Sequence, residues 1–373
     1  MVNILYVITK LELGGAQRHL VSLIAHLDTE KFRVFLCTAH EGMLLEDAER
    51  IPQITIYRSR YLERAINPFK DIPAFFEIVR LIRKHKIDIV HTHSSKAGII
   101  GRLAAGYAGV TNVVHTVHGW SFNDCQPGWV PWFFLWMEKL AARRTKRIIV
   151  VSESDRQKGI RSRIAQEPRF THIPYGVDME GCSRAEAQGL KKELGIAAGE
   201  QVVVDISCLK PQKAPEDFVR VAHAVALRHA RARFILVGDG VLRPRVTALR
   251  ARLGLQDTLI LAGWRRDIPR ILTAADILVL TSLWEGDPLV VHEAMRCGIP
   301  VVATNTGGVA ETVEEGVTGF LVAPHDVHGM TDKIGVLLED DALRTRMGSC
   351  ARSRRLATAQ EMCARTQEIY ESL

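Results

Sequence analysis

The chain has 373 residues, of which 47% are hydrophobic and 24% charged, with a formal net charge of +7. This length calls for two domains of about 180 residues rather than one core, in a soluble globular protein. No apolar run is long enough to span a bilayer and no basic segment precedes the first strand, which argues against a transmembrane helix or a signal peptide. Seven cysteines (Cys37, Cys125, Cys182, Cys208, Cys297, Cys350 and Cys363) are scattered, with no Cys-x-x-Cys pair. They are expected to be reduced thiols in a cytoplasm, not a disulfide framework or a structural zinc site. Basic residues cluster at 143–147, 156–163 and 265–266. No nucleic-acid motif accompanies them, so an anionic membrane surface or a phosphate-bearing substrate is the expected partner and nucleic acid is not.

In chain order, residues 3–8 read as an apolar strand, followed by Gly14-Gly15 and an amphipathic helix to about 27. Strands are expected at 32–37, 54–57, 87–92, 113–117, 147–151 and 171–173. Helices at 71–84, 96–107 and one ending near 143 lie between them. A break at 174–178 leads into a polar stretch to about 199 that holds a helical piece at 184–194. Strands then resume at 201–206, 233–237, 258–262, 277–280 and 301–303, and a last helix is expected at 358–370. Strands alternating with helices imply right-handed βαβ units, mostly parallel sheets and an α/β architecture of two doubly wound domains facing across a cleft.

Several stretches carry chemistry. Gly14-Gly15 follows the first strand and opens a helix, where a bare backbone can approach a diphosphate; a plain strand-to-helix turn is the alternative. Ser94, Ser95 and Lys96 line the start of another helix, an anion-friendly place. His91, His93, His115 and His118 sit near adjacent strand ends, an arrangement that invites zinc but is more often packed and hydrogen-bonded. His118, just before Gly119, is the best placed of the four to face the cleft. Residues 119–136 hold four of the six tryptophans and precede the basic run at 143–147. They suit an interfacial anchor or lipid-acceptor site, with Trp120 to Trp132 exposed and 136–140 in the core, or else a packed hydrophobic helix.

In the second half Lys213 lies where a loop enters a helix, within reach of a phosphate, or is simply a surface lysine. Gly238 and Gly307-Gly308 mark turns that let backbone skirt a nucleotide. Glu285 is expected on a loop and Glu293 in the first turn or so of a helix, with Pro288 as its first residue and Gly298 at its end. Two carboxylates beside a helix N-terminus suit hydroxyl groups next to a phosphate; two solvated acids on a surface helix are the alternative.

Together Gly14-Gly15-Ala-Gln-Arg18, His115-Thr-Val-His118, 173–178, Lys213, Gly238-Asp-Gly240, Glu285-x7-Glu293 and Gly298-Ile-Pro300 resemble the family-4 glycosyltransferases of GT-B fold. The match spans nearly the whole chain, and 91–98 resembles the branch that builds capsular and exopolysaccharides. The resemblance implies an acceptor domain at 1–177, a donor domain at 178–357 and a helix at 358–373 packing toward the first domain. It implies retaining transfer from a nucleotide diphosphate sugar to a glycan, with a lipid-linked acceptor at the inner face of the plasma membrane. No metal or other cofactor is required. By motif, Glu293 would hold the ribose hydroxyls, Glu285 the sugar hydroxyls and Lys213 the departing diphosphate. Gly14, Gly15, Lys210, Gly238, Asp287, Pro288 and Leu289 would complete the donor site. His118 would contact the sugar near the reacting centre, and Ser94, Ser95, Lys96 and Trp120 would face the acceptor. A sugar-nucleotide epimerase or a non-catalytic scaffold subunit are the alternatives.

Three positions depart from the family's pattern. Cys208 stands where an arginine is usual, so Lys210 would have to substitute. Tyr175 replaces an asparagine. Asp287 stands where a small or apolar residue is common, and an unpaired carboxylate about 5 Å from a phosphate would repel it by roughly 3 kcal/mol. Asp287 is therefore expected to cap the helix or accept from a sugar hydroxyl.

Overall fold

The structure, a computed structural model, describes residues 1–122, 126, 128–178 and 184–373. Cys125 and Cys182 lie outside the described residues; among the described residues Cys37, Cys208, Cys297, Cys350 and Cys363 form no disulfide. The chain divides into two compact units, Met1–Gly176 with Ala357–Leu373, and Val177–Leu356.

The first unit runs β1 (Val2–Val7), α1 (Gly15–Ala25), β2 (Phe32–Ala39), α2 (Leu45–Glu49), β3 (Thr55–Ser59), α3 (Pro68–His85) and β4 (Ile89–His93). It continues through α4 (Ser95–Ala108), β5 (Asn112–Val117), α5 (Val130–Ala142), β6 (Arg147–Val150), α6 (Glu153–Arg161) and β7 (Phe170–His172). The strands form one parallel sheet in the order β3-β2-β1-β4-β5-β6-β7. Its order reverses between β1 and β4, the switch point outside which such sheets bind ligands.

β1 is apolar on both faces because helices cover both sides. Ile4, Tyr6 and Ile8 pack with Leu20 and Leu23 of α1. Leu5 and Val7 pack with Ala74, Ile78 and Ile82 of α3 and Ala97 and Ala104 of α4. α4 lies close because it carries glycines there: a Cβ at Gly98 would stand 2.6 Å from the His115 ring, and one at Gly101 2.8 Å from Thr92. α3 starts earlier than its apolar spacing suggests. The Asn67 side chain accepts from the Phe69 amide, and Pro68 occupies the first turn.

The second unit runs α7 (Arg184–Glu193), β8 (Gln201–Ile206), α8 (Pro215–Ala226), β9 (Ala232–Val237), α9 (Arg243–Arg252), β10 (Leu259–Gly263) and α10 (Ile268–Ala274). It ends with β11 (Ile277–Leu280), α11 (Leu289–Cys297), β12 (Val301–Thr304), α12 (Val309–Thr312), β13 (Gly319–Val322), α13 (Val327–Glu339) and α14 (Asp341–Ser353). Its parallel sheet is ordered β10-β9-β8-β11-β12-β13, with a core on each face. The last helix, α15 (Ala359–Glu371), opens on a Thr358/Glu361 capping box and packs in the first unit. There the Tyr370 hydroxyl lies 2.9 Å from that of Tyr6 and 2.5 Å from Nδ1 of His91.

Candidate active site

In the second unit, loops at the carboxyl ends of β8, β9, β11 and β12 converge through backbone contacts. The Leu283 amide donates to the Gln212 carbonyl (2.7 Å), the Leu209 amide to that of Asp239 (3.0 Å) and the Gly308 amide to that of Gly286 (2.8 Å). Two glycines make this closeness possible. Gly238 (φ 125°) and Gly307 (φ 49°) would otherwise drive a Cβ to 2.0 Å from the Ser207 carbonyl oxygen and 1.9 Å from that of Glu285. Lys213 ends a short 3-10 turn, Pro211–Lys213, just before α8. Its ammonium forms an ion pair with Glu285, whose side chain is 7% exposed. Thr281 fixes the lysine's backbone by donating to its carbonyl at 2.8 Å. Lys210 and Cys208 are half-buried on the same loop.

Glu293 lies on α11, buried, one turn beyond its start. Pro288 is the residue before that helix rather than its first residue, and Leu289 begins it. Gly298 ends it in the left-handed region (φ 71°). The Asp287 Oδ1 lies 2.5 Å from Nε2 of His292, both side chains buried. Burial pulls His292 down, but the charge and hydrogen bond of Asp287 outweigh it and hold the imidazole above its ordinary value. The pairing removes the repulsion expected of a lone carboxylate. Its signal in the sequence is a histidine five residues beyond the acid.

Asp205, the penultimate residue of β8 after a run of three valines, is fully buried beside this cluster. Burial pushes its carboxyl up to about 7, opposed by Ser207 and Lys213 and reinforced by Glu285. A folded value above the unfolded one means that this group's stabilisation is complete below about pH 4 and is lost as pH rises to about 7. Asp205→Asn should therefore leave stability at pH 4 near wild type and raise it at pH 8 by about 4 kcal/mol. Urea melts at the two pH values check this; an unchanged difference between them rules it out.

In the first unit, Gly14 precedes α1 in extended backbone and Gly15 is its first residue. Ser94 precedes α4 with φ 61°, a region costly to a residue with a side chain. Its hydroxyl is held 2.9 Å from that of Thr9, which ties the β4 loop to the β1 loop. Ser95 is half-buried, and Lys96 pairs with Asp71 and donates to the Ala65 carbonyl.

The histidines separate into two kinds. His91 and His115 are structural: Nε2 of His91 lies 2.7 Å from the Thr116 hydroxyl and Nδ1 of His115 2.9 Å from that of Thr92. His93 and His118 are joined by His19 of α1, which sequence reading overlooked, and each of the three brings a potential ligand nitrogen within 4.8 Å of the others. Nδ1 of His93 lies 3.0 Å from Nε2 of His118, and Nδ1 of His118 2.7 Å from the Tyr175 hydroxyl. Burial holds His91, His93, His115 and His118 well below the usual histidine range, so all four are neutral near pH 7.

The tryptophan-rich segment departs from expectation at Trp120 and Trp136, while Trp129 and Trp132 are exposed as expected. Trp120 is buried, and its indole N–H donates to the Asp155 carbonyl at 2.8 Å. Gly159 makes room for it, since a Cβ there would lie 2.8 Å from the indole ring. Trp136 is exposed, as are Trp129 and Trp132. Trp120 is thus a core residue rather than an exposed acceptor contact.

The fold is shared with solved structures. HepE of Anabaena in complex with UDP and glucose superposes with a TM-score of 0.83 over the whole of both chains, at 25% identity. A sucrose-phosphate synthase from Thermosynechococcus elongatus gives 0.84 over 100% of this chain and 99% of that one, at 21% identity. Two Rossmann-like units of this kind make a glycosyltransferase of the GT-B fold. Residues 13–180 match the model of Glycosyltransferase Family 4 and residues 187–354 that of Glycosyl transferases group 1. The chain is 34% identical over 343 residues (91% of its length, 88% of the relative's) to UDP-Gal:alpha-D-GlcNAc-diphosphoundecaprenol alpha-1,3-galactosyltransferase of Escherichia coli. It belongs to glycosyltransferase family 4.

Proposed function

We propose that the chain is a retaining, metal-independent glycosyltransferase acting in surface polysaccharide synthesis. It transfers a sugar from a uridine diphosphate sugar to a lipid-linked glycan acceptor, as a peripheral protein on the cytoplasmic face of the plasma membrane. The observation that carries this reading is the half-buried Lys213 ammonium held against Glu285 where four loops converge. A fixed cation there is suited to the negative charge that develops on a departing diphosphate. Glu285 then accepts from the sugar's hydroxyls and Glu293 from the ribose. Lys210, Gly238 and 287–289 line the nucleotide. In the first unit we assign the Gly14 and Gly15 amides to the diphosphate, His118 to the sugar, and Ser94, Ser95 and Lys96 to the acceptor. The named substrates of the Escherichia coli relative, a UDP-galactose donor and an undecaprenol-linked acceptor, and the UDP bound by HepE support the choice of donor and acceptor.

Incubation with radiolabelled UDP-sugars, a membrane lipid extract and EDTA tests the reading. Labelled lipid with the anomeric configuration of the donor is the expected product, at a rate that EDTA leaves unchanged. A new nucleotide sugar without lipid product identifies an epimerase, and neither product identifies a scaffold subunit. Loss of transfer on chelation, reversed by zinc, would assign His19, His93 and His118 to a metal and overturn metal independence.

A further inference from the structure

α3, α4 and α5 cover one side of the first sheet. Ala74, Ile78 and Ile82 of α3 and Ala97 and Ala104 of α4 share a core with Val113 of β5. Val117, on the same face of that strand, packs with Ala142 at the end of α5. The outward faces of covering helices are ordinarily polar. Here Phe69, Ile72 and Phe76 form one exposed stripe on α3 at helical spacing, Phe69 being 90% exposed. Exposed Tyr107 of α4 lies beside it, its ring centroid 6.4 Å from that of Phe76. α5 repeats the pattern with Trp129, Trp132, Phe133 and Trp136, Trp132 being 75% exposed.

The exposed charges on α3 have one sign: Lys70, which pairs with Glu63 just before the helix, and Arg80, Arg83 and Lys84; Arg143 and Arg144 follow α5. The carboxylates on α3 and α5 turn inward: Asp71 pairs with Lys96, Glu77 accepts from Ser59, and Glu138 pairs with Arg102. Among the described residues no helix is long and apolar enough to cross a membrane. Aromatic rings flanked by long basic side chains match the interface of an anionic bilayer: rings enter the headgroup boundary while ammonium and guanidinium groups reach lipid phosphates.

We propose that the α3–α4–α5 side of the first unit is a docking surface for anionic lipid bilayers. The purpose of docking rests on the membrane-facing function proposed above, but its readout does not. Flotation with vesicles of phosphatidylcholine alone, or mixed with phosphatidylglycerol, contains no acceptor and no donor. The protein should float with the mixed vesicles at low salt, and high salt should release it. The paired changes Phe69→Ser with Phe76→Ser, and Arg80→Glu with Arg83→Glu, should each lower the bound fraction at least about tenfold. Both variants should keep wild-type melting temperature and UDP-induced thermal shift, because these side chains lie in solvent. Wild-type protein that stays unbound, or α3 variants that float like wild type, overturns the proposal. Equal flotation with phosphatidylcholine alone overturns its anionic character. Flotation without any sugar transfer leaves docking standing and removes the proposed enzyme function instead.

Discussion

Lys213→Ala should lower turnover by about 100-fold, equivalent to about 2.7 kcal/mol of transition-state stabilisation. UDP affinity should fall much less, because the lysine's charge matters most when the leaving diphosphate gains its own. The effect exceeds that of an ordinary surface lysine because this one is held in place. Its backbone is fixed by Thr281 and its ammonium by Glu285 before any substrate arrives. Removing it leaves the Glu285 carboxylate without that partner and takes away one of the influences that lower Asp205. Glu293→Ala should show the opposite division, weakening UDP binding about tenfold or more through lost hydrogen bonds to a carboxylate. Initial rates and UDP titrations on both variants separate the roles. A Lys213→Ala enzyme with wild-type turnover would falsify the assignment.

Arg102→Ala should cost the first unit about 3–5 kcal/mol of stability, the largest structural effect expected of a single change here. Arg102 on α4 and Glu138 on α5 are buried and joined at 2.6 Å, and the arginine also donates to the Gly98 carbonyl at 2.8 Å. Removing one partner leaves an uncompensated charge in the interior. Replacing both by apolar residues of similar volume, Arg102→Met with Glu138→Leu, should recover much of the loss. Thermal and urea melts of the single and double variants decide this. A double variant as unstable as Arg102→Ala would show that packing, not burial of a lone charge, is at stake.

The central strands were legible because residues such as 201–206 and 277–280 are apolar on both faces, the mark of a parallel sheet under helices. β13 was not, since four residues beginning with glycine carry little signal and owe their pairing to the neighbouring β12. The site divides in the same way. Glu285, Glu293 and Lys213 could be named from motif and spacing. The ion pair between Lys213 and Glu285 could not, because 72 residues separate them and only the adjacency of β8 and β11 brings them together. Trp120 and Trp136 misled because composition does not say which side of a helix faces the sheet. Trp120 reached the core only through the space left at Gly159.

The first unit is interrupted in sequence, and this bears on how the chain is made. Tyr6 meets Tyr370 across 364 residues, and α15 covers α1 only after everything between them has been translated. On the ribosome the second unit, continuous from Val177 to Leu356, can therefore close before the first. Until α15 is made, the α1 side of the first sheet waits with Tyr6 and His91 lacking the Tyr370 hydroxyl. A chain lacking 357–373 would have a continuous second unit and a first unit whose α1 side is still open to solvent.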